Sequence, residues 1–236
     1  MAAGLPDRLA EVRRRIVVAA DTAGRDPSGV TLIAVAKTFP TELVAQAIAA
    51  GATDIGENRV QEAAAKRPAV PPAIWHLIGP LQRNKAAAAL ATFDVIHTVD
   101  RDEIAERLQL LLERDWPGRR QRVLMEVNVG HEPQKAGVLS EDAPALATAI
   151  LAHDRLELLG LMAIPPFGDD PEASRPHFRA LRELRDRLSD RLGRALPQLS
   201  MGMSLDFEVA VAEGATMVRV GTAIFGERGQ GLGSGG

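Results

Sequence analysis

Two periodicities alternate along the chain. Short apolar runs are separated by longer stretches in which apolar residues return every three or four positions. The first amphipathic stretch, residues 6 to 24, carries Leu9, Val12, Ile16, Ala19 and Ala23 on one face with arginines opposite, and predicts a helix ahead of any strand. Thr31-Leu-Ile-Ala-Val-Ala-Lys37-Thr38 then reads as a buried parallel strand that delivers a lysine to its carboxyl end. A helix from Thr41 to Gly51 and a strand from Asp54 to Glu57 complete a β-α-β unit, and the pattern recurs.

Further strands are expected over Ile74–Gly79, Asp94–Val99, Arg122–Val129, Leu156–Ile164, Leu199–Met203 and Met217–Phe225. Between them lie helical patterns over Arg59–Arg67, Gln82–Phe93, Asp102–Trp116, Ser140–His153, Glu172–Leu192 and Asp206–Gly214. Eight strands, each but the last followed by a helix, in 236 residues predict a single (β/α)8 TIM barrel with an extra N-terminal helix. A doubly wound open sheet has the same alternation but does not require eight strands, and it usually shows a glycine fingerprint after the first. The expected domain covers residues 1–228. Residues 229–236, rich in glycine, read as a flexible tail.

Composition narrows the function. A net charge of -3 with a pI near 6.0 leaves no basic field for a nucleic-acid backbone, and no like-charge run suggests a membrane patch. Small molecules are the expected partners. Without cysteine there is neither a disulfide nor a thiolate metal site, and the N-terminus lacks a signal-peptide core, so the cytoplasm is the expected compartment. The five histidines show no metal-ligand spacing, and no metal is expected.

In a barrel of this kind, chemistry sits at the carboxyl ends of strands. Those ends offer Lys37, Glu57-Asn58, His76 with Gly79-Pro80, Asn128, Met162, Ser200-Met-Gly-Met203-Ser204 and Arg219-Val-Gly221-Thr222. Only Lys37, Lys66, Lys85 and Lys135 interrupt an otherwise all-arginine complement of cations, and only lysine supports Schiff-base chemistry. The glycines and hydroxyls of the last two clusters fall after strands seven and eight, where barrels build phosphate sites. A Schiff-base lysine and a phosphate cradle on one face are the two anchors of a pyridoxal phosphate site. They also suit an aldolase acting on a phosphorylated sugar.

Six ordered blocks carry a resemblance: Ala34-Val-Ala-Lys37-Thr38, Gly56-Glu-Asn58-Arg-Val-Gln61-Glu62, His76-Leu-Ile-Gly79-Pro80-Leu-Gln82-Arg-Asn84-Lys85, Lys135-Ala-Gly137, Ser200 to Ser204 and Val218 to Gly226. The chain resembles the pyridoxal phosphate homeostasis family, related in fold to the N-terminal barrel of alanine racemase. The resemblance implies a pyridoxal 5'-phosphate (PLP) carrier with little or no turnover. Lys37 would hold the cofactor as a Schiff base, Ser204, Gly221 and Thr222 its phosphate, and Arg219 its ring nitrogen, with Asn58, His76, Ser200 and Met203 around it. Two positions depart from the family's pattern: Arg59, where tyrosine is common, and Leu205, where a small or acidic residue is common. Arg59, Lys85 and Lys135 are assigned no role. The alternative is an enzyme, racemase-like or aldolase-like. Against the racemase stands the absence of any tyrosine, which that enzyme uses as a second base, and of its further β domain. A monomer is expected, with PLP-dependent apo-enzymes as candidate acceptors.

Overall fold

A computed structural model describes residues 3–226. The expected tail, 229–236, lies outside the described residues. Helix α1, Leu5–Thr22, leads into strand β1, Thr31–Val35. Then follow α2 (Thr41–Ala49), β2 (Asp54–Glu57), α3 (Val60–Lys66), β3 (Ile74–Leu77), α4 (Ala86–Thr92) and β4 (Val95–Val99). The second half continues with α5 (Asp102–Asp115), β5 (Gln121–Glu126), α6 (Ala143–Ala152), β6 (Leu156–Met162), α7 (Arg175–Leu192), β7 (Gln198–Ser200), α8 (Phe207–Ala212), β8 (Met217–Val220) and α9 (Thr222–Phe225).

The eight strands form one closed barrel in chain order, and every pairing between them is parallel. β1 closes it against β8, with Thr31 opposite Met217 and Ile33 opposite Arg219. Closure leaves no exposed sheet edge. Because side chains alternate along a strand, each strand feeds two cores. The outer one lies between sheet and helices and is built largely from aliphatic residues such as Leu9, Ile55, Leu77, Leu108, Leu161 and Leu181. The inner one, Ile33, Val95, Leu124, Met162 and Met217, occupies part of the barrel interior.

Strands one, three, five, six and seven end earlier than the apolar runs suggest, and the last residues of those runs lie in the loops that follow. The largest departure is the last element. Met217–Phe225 was expected as one strand, but β8 stops at Val220 and residues 222–225 make a helical turn, with the N–H groups of Ile224 and Phe225 returning to the Gly221 carbonyl. The run stays apolar because this turn packs on α1 and Phe225 stacks on Phe39 with centroids 4.9 Å apart. Uninterrupted apolar residues do not distinguish a strand from a buried helix. Every strand is thus followed by a helix.

Candidate functional site

The carboxyl ends of β1, β2, β7 and β8 converge on one face. Lys37 stands two residues beyond β1 in an exposed turn. The expected strand reached Thr38, but β1 stops at Val35, so Lys37 follows the strand rather than ending it. Its neighbour Thr38 takes a left-handed φ of 67°, uncommon for a β-branched residue, and its N–H donates to Glu62 Oε2 at 3.1 Å.

Beneath this turn is a contact that strand-end reading misses. Lys66 Nζ donates to the Ala36 carbonyl at 3.0 Å and to Glu57 Oε1 at 2.6 Å. The buried Lys66 thus ties the residue before Lys37 to the end of β2. Burial raises Glu57, Lys66 opposes that, and the carboxyl ends above its ordinary value with Oε2 unpartnered. Only the position of Lys66 on α3, nine residues after Glu57, hinted at this pair.

The cradle is built where β7 and β8 end. Ser204 Oγ accepts the N–H of Gly221 at 3.2 Å and of Ala223 at 3.5 Å. The loop before it turns at Gly202, φ 91°, where a Cβ would lie 2.5 Å from that of Ala210. It is fixed by the Arg219 N–H on the Gly202 carbonyl at 3.0 Å and by the Met203 N–H on Asp206 Oδ1 at 2.7 Å. At Gly221 a Cβ would come within 3.3 Å of the Val35 carbonyl, so the cradle abuts the end of β1. Thr222 is exposed at its rim.

Arg219 lies under this face, almost fully buried, with Nη1 donating to Ser200 Oγ at 2.7 Å and Nη2 to the Ala163 carbonyl at 2.9 Å. Burial lowers its pKa to about 10 against the pull of Glu126 and Asp206, so it stays a cation at neutral pH. Glu126, buried at the end of β5, is pushed up to about 7 by its burial and by Asp100, with Arg219 opposing. Asn58 is half-buried, and its backbone is packed so closely on Gly79 that a Cβ there would sit 2.3 Å from the Asn58 carbonyl oxygen.

Two predicted positions are occupied differently. His76 is not at a strand end: it points into the barrel, Nε2 2.8 Å from Asp54 Oδ1 and Nδ1 2.9 Å from His97 Nε2, with no nitrogen left for a ligand. Ser200 is fully buried beneath the face, held by Arg219 and by His97 Nδ1 at 3.0 Å. Asn128 closes its own loop, Nδ2 donating to the Glu132 carbonyl at 2.9 Å. Lys135 donates to the Pro165 carbonyl at 2.8 Å and pairs with Glu132, Lys85 is half-buried, and the exposed Arg59 meets Glu62 at 3.4 Å.

The donor set suits PLP. A lysine amine stands free on the face, backbone N–H groups and a serine hydroxyl gather where an anion would sit, and a buried guanidinium lies between them and the barrel interior.

Fold and site together define a barrel of the alanine racemase N-terminal type: the family described as "Alanine racemase, N-terminal domain" matches residues 8–229. Alanine racemases share the fold at low identity, as with that of Corynebacterium glutamicum at 21% identity and TM-score 0.68, over 96% of this chain and 63% of that one. The chain belongs, within that class, to the pyridoxal phosphate homeostasis protein family. Relatives of that name are 46% identical in Pseudomonas aeruginosa, over 95% of this chain and 96% of the relative, and 44% identical in Aquifex aeolicus, over 94% and 97%. Among solved structures, PipY of Synechococcus elongatus with PLP bound is 37% identical with TM-score 0.82, covering 94% of this chain and all of that one.

Proposed function

We propose that this chain holds PLP covalently through Lys37 Nζ and serves the cofactor's homeostasis with little or no turnover. Ser204, Gly221 and Thr222 hold the phosphate, Arg219 meets the ring nitrogen, and Asn58 and Met203 border the site. The observation that carries this reading is the convergence of the Gly221 and Ala223 N–H groups on Ser204 Oγ, beside the end of β1 that presents Lys37. The curated relatives are named for PLP homeostasis, and the PipY structure contains PLP.

The cofactor, when bound, supplies an aldehyde for the lysine and a ring that acts as an electron sink. Arg219 limits the second property. A guanidinium only donates, so it requires the ring nitrogen's lone pair and leaves that nitrogen unprotonated. Racemisation also needs a base on each face of Cα, and the chain has no tyrosine to serve as the second. No helix among the described residues is long and apolar enough to cross a membrane. A cytoplasmic monomer that passes PLP to apo-enzymes completes the proposal.

The test is to add PLP, reduce with borohydride and map the labelled peptide. Label on Lys37 and loss of the visible band in Lys37→Ala are expected. Label mainly on Lys85 or Lys135 overturns the assignment.

A further inference from the structure

The barrel interior holds a polar chain of which the proposed site uses only Arg219. From Arg219 Nη1 it passes to Ser200 Oγ (2.7 Å), to His97 Nδ1 (3.0 Å), from His97 Nε2 to His76 Nδ1 (2.9 Å), and from His76 Nε2 to Asp54 Oδ1 (2.8 Å). Four strands besides β8 contribute a member, and all five side chains are buried. Asp54 is the first residue of β2, at the amino end of the barrel. There it lines a cavity of about 390 Å³ with Arg13, Thr31 and Thr53, and its Oδ2 accepts the Thr53 hydroxyl at 2.7 Å. The chain therefore runs from under the Lys37 face to the opposite end.

Donor and acceptor chemistry orders the protons along it. The guanidinium can only donate and the carboxylate can only accept. With both rings neutral, one arrangement satisfies all four contacts. Arg219 donates to Ser200, Ser200 to His97 Nδ1, His97 Nε2–H to His76, and His76 Nε2–H to Asp54. His97 is held neutral by complete burial, reinforced by the charge of Arg219. Burial raises Asp54, but the hydrogen bonds from His76 and Thr53, with the nearby charge of Arg122, outweigh it and keep the carboxylate ionised. Buried polar networks replaced by well-packed apolar groups are often no less stable. The value of this chain then lies in what it orients.

We infer that Asp54, His76 and His97 are positioning residues for Arg219: the one-way hydrogen-bond chain commits the Ser200 proton to His97, turns the Ser200 lone pair to Nη1, and so fixes the plane of the guanidinium. The inference rests on the proposed site only in that Arg219 faces the ligand ring there.

The wiring is read without any ligand, by proton–nitrogen NMR of the full chain. Both His76 and His97 are expected in the Nε2–H form at neutral pH, with separate, slowly exchanging signals for the two Arg219 Nη groups. His97→Phe should merge those signals while the circular dichroism stays that of the parent. Asp54→Asn, which can donate as well as accept, should give His76 a measurable Nδ1–H population, and it serves also if His97→Phe does not fold. An Nδ1–H or doubly protonated His97 in the parent, or Arg219 signals unchanged in a folded His97→Phe, overturns the inference. In a second arm, with PLP added, His97→Phe should move the pH midpoint of the bound chromophore's absorbance by about half a unit or more. Met217→Leu, an interior change off the chain, should not. A midpoint unmoved in His97→Phe also overturns it. If the parent takes up no PLP, it is the proposed site that fails, and the ligand-free spectra still decide the wiring.

Discussion

Glu126 shows how one residue ties the site to the fold. Its carboxyl moves from an ordinary 4.5 to about 7 on folding, and Oε2 has no partner. Between those values the folded chain keeps a proton that the unfolded chain releases. The residue's contribution to stability is therefore full below about pH 4.5 and is lost as pH rises through about 7, by up to ~3 kcal/mol. Glu126→Gln should leave urea stability at pH 4.5 nearly unchanged and raise it at pH 8.5. Equal effects at both values would reject the assignment. Individual residues were unevenly legible. Lys37, Ser204 and Gly221 could be picked out because strand ends and glycine-hydroxyl clusters leave a local mark. The contact between His76 and His97 could not, because it depends on the register of β3 against β4, and barrel closure rather than spacing along the chain brings Ser200 and Arg219 across to them.

Among the elements, β6 and β7 approach closely at one glycine. Gly160 pairs with Gln198, and a Cβ on Gly160 would lie 1.9 Å from the Gln198 carbonyl oxygen. Backbone cannot yield as a flexible side chain can, so Gly160→Ala should cost about 3 kcal/mol or more. Chemical denaturation measures it, and a loss under about 1 kcal/mol would show that β7 shifts freely. Existence and order of the strands were readable from apolar runs between amphipathic stretches, since each strand of a barrel is buried on both faces. Their ends were not. Ala36 and residues 222–225 are as apolar as the strands before them, and hydrogen bonds from Lys66 to the Ala36 carbonyl and within the last turn decide where pairing stops.

At the scale of the molecule, α1 joins the two ends of the barrel. Its Leu9, 1% exposed, is buried in the outer core, Arg15 grips Glu208 on α8 through two contacts of 2.7 Å, and Arg8 Nε donates to the Ile224 carbonyl at 2.7 Å. Leu9→Ala should cost about 2–5 kcal/mol, read as a lower urea midpoint at unchanged slope. A midpoint equal to the parent's would mean that α1 is dispensable to the barrel.

The same seam has a consequence in time. During synthesis α1 and β1 leave the ribosome well before α8, β8 and α9, the partners they pack and pair with. Until those elements emerge, one edge of β1 has no strand to pair with, the apolar face of α1 lacks its contacts with α8 and α9, and the Gly221–Ala223 turn does not exist. A nascent chain therefore carries Lys37 for a time without the turn that holds Ser204 against Gly221 and Ala223. On the proposed site, capture of the aldehyde would wait until those elements have folded against β1.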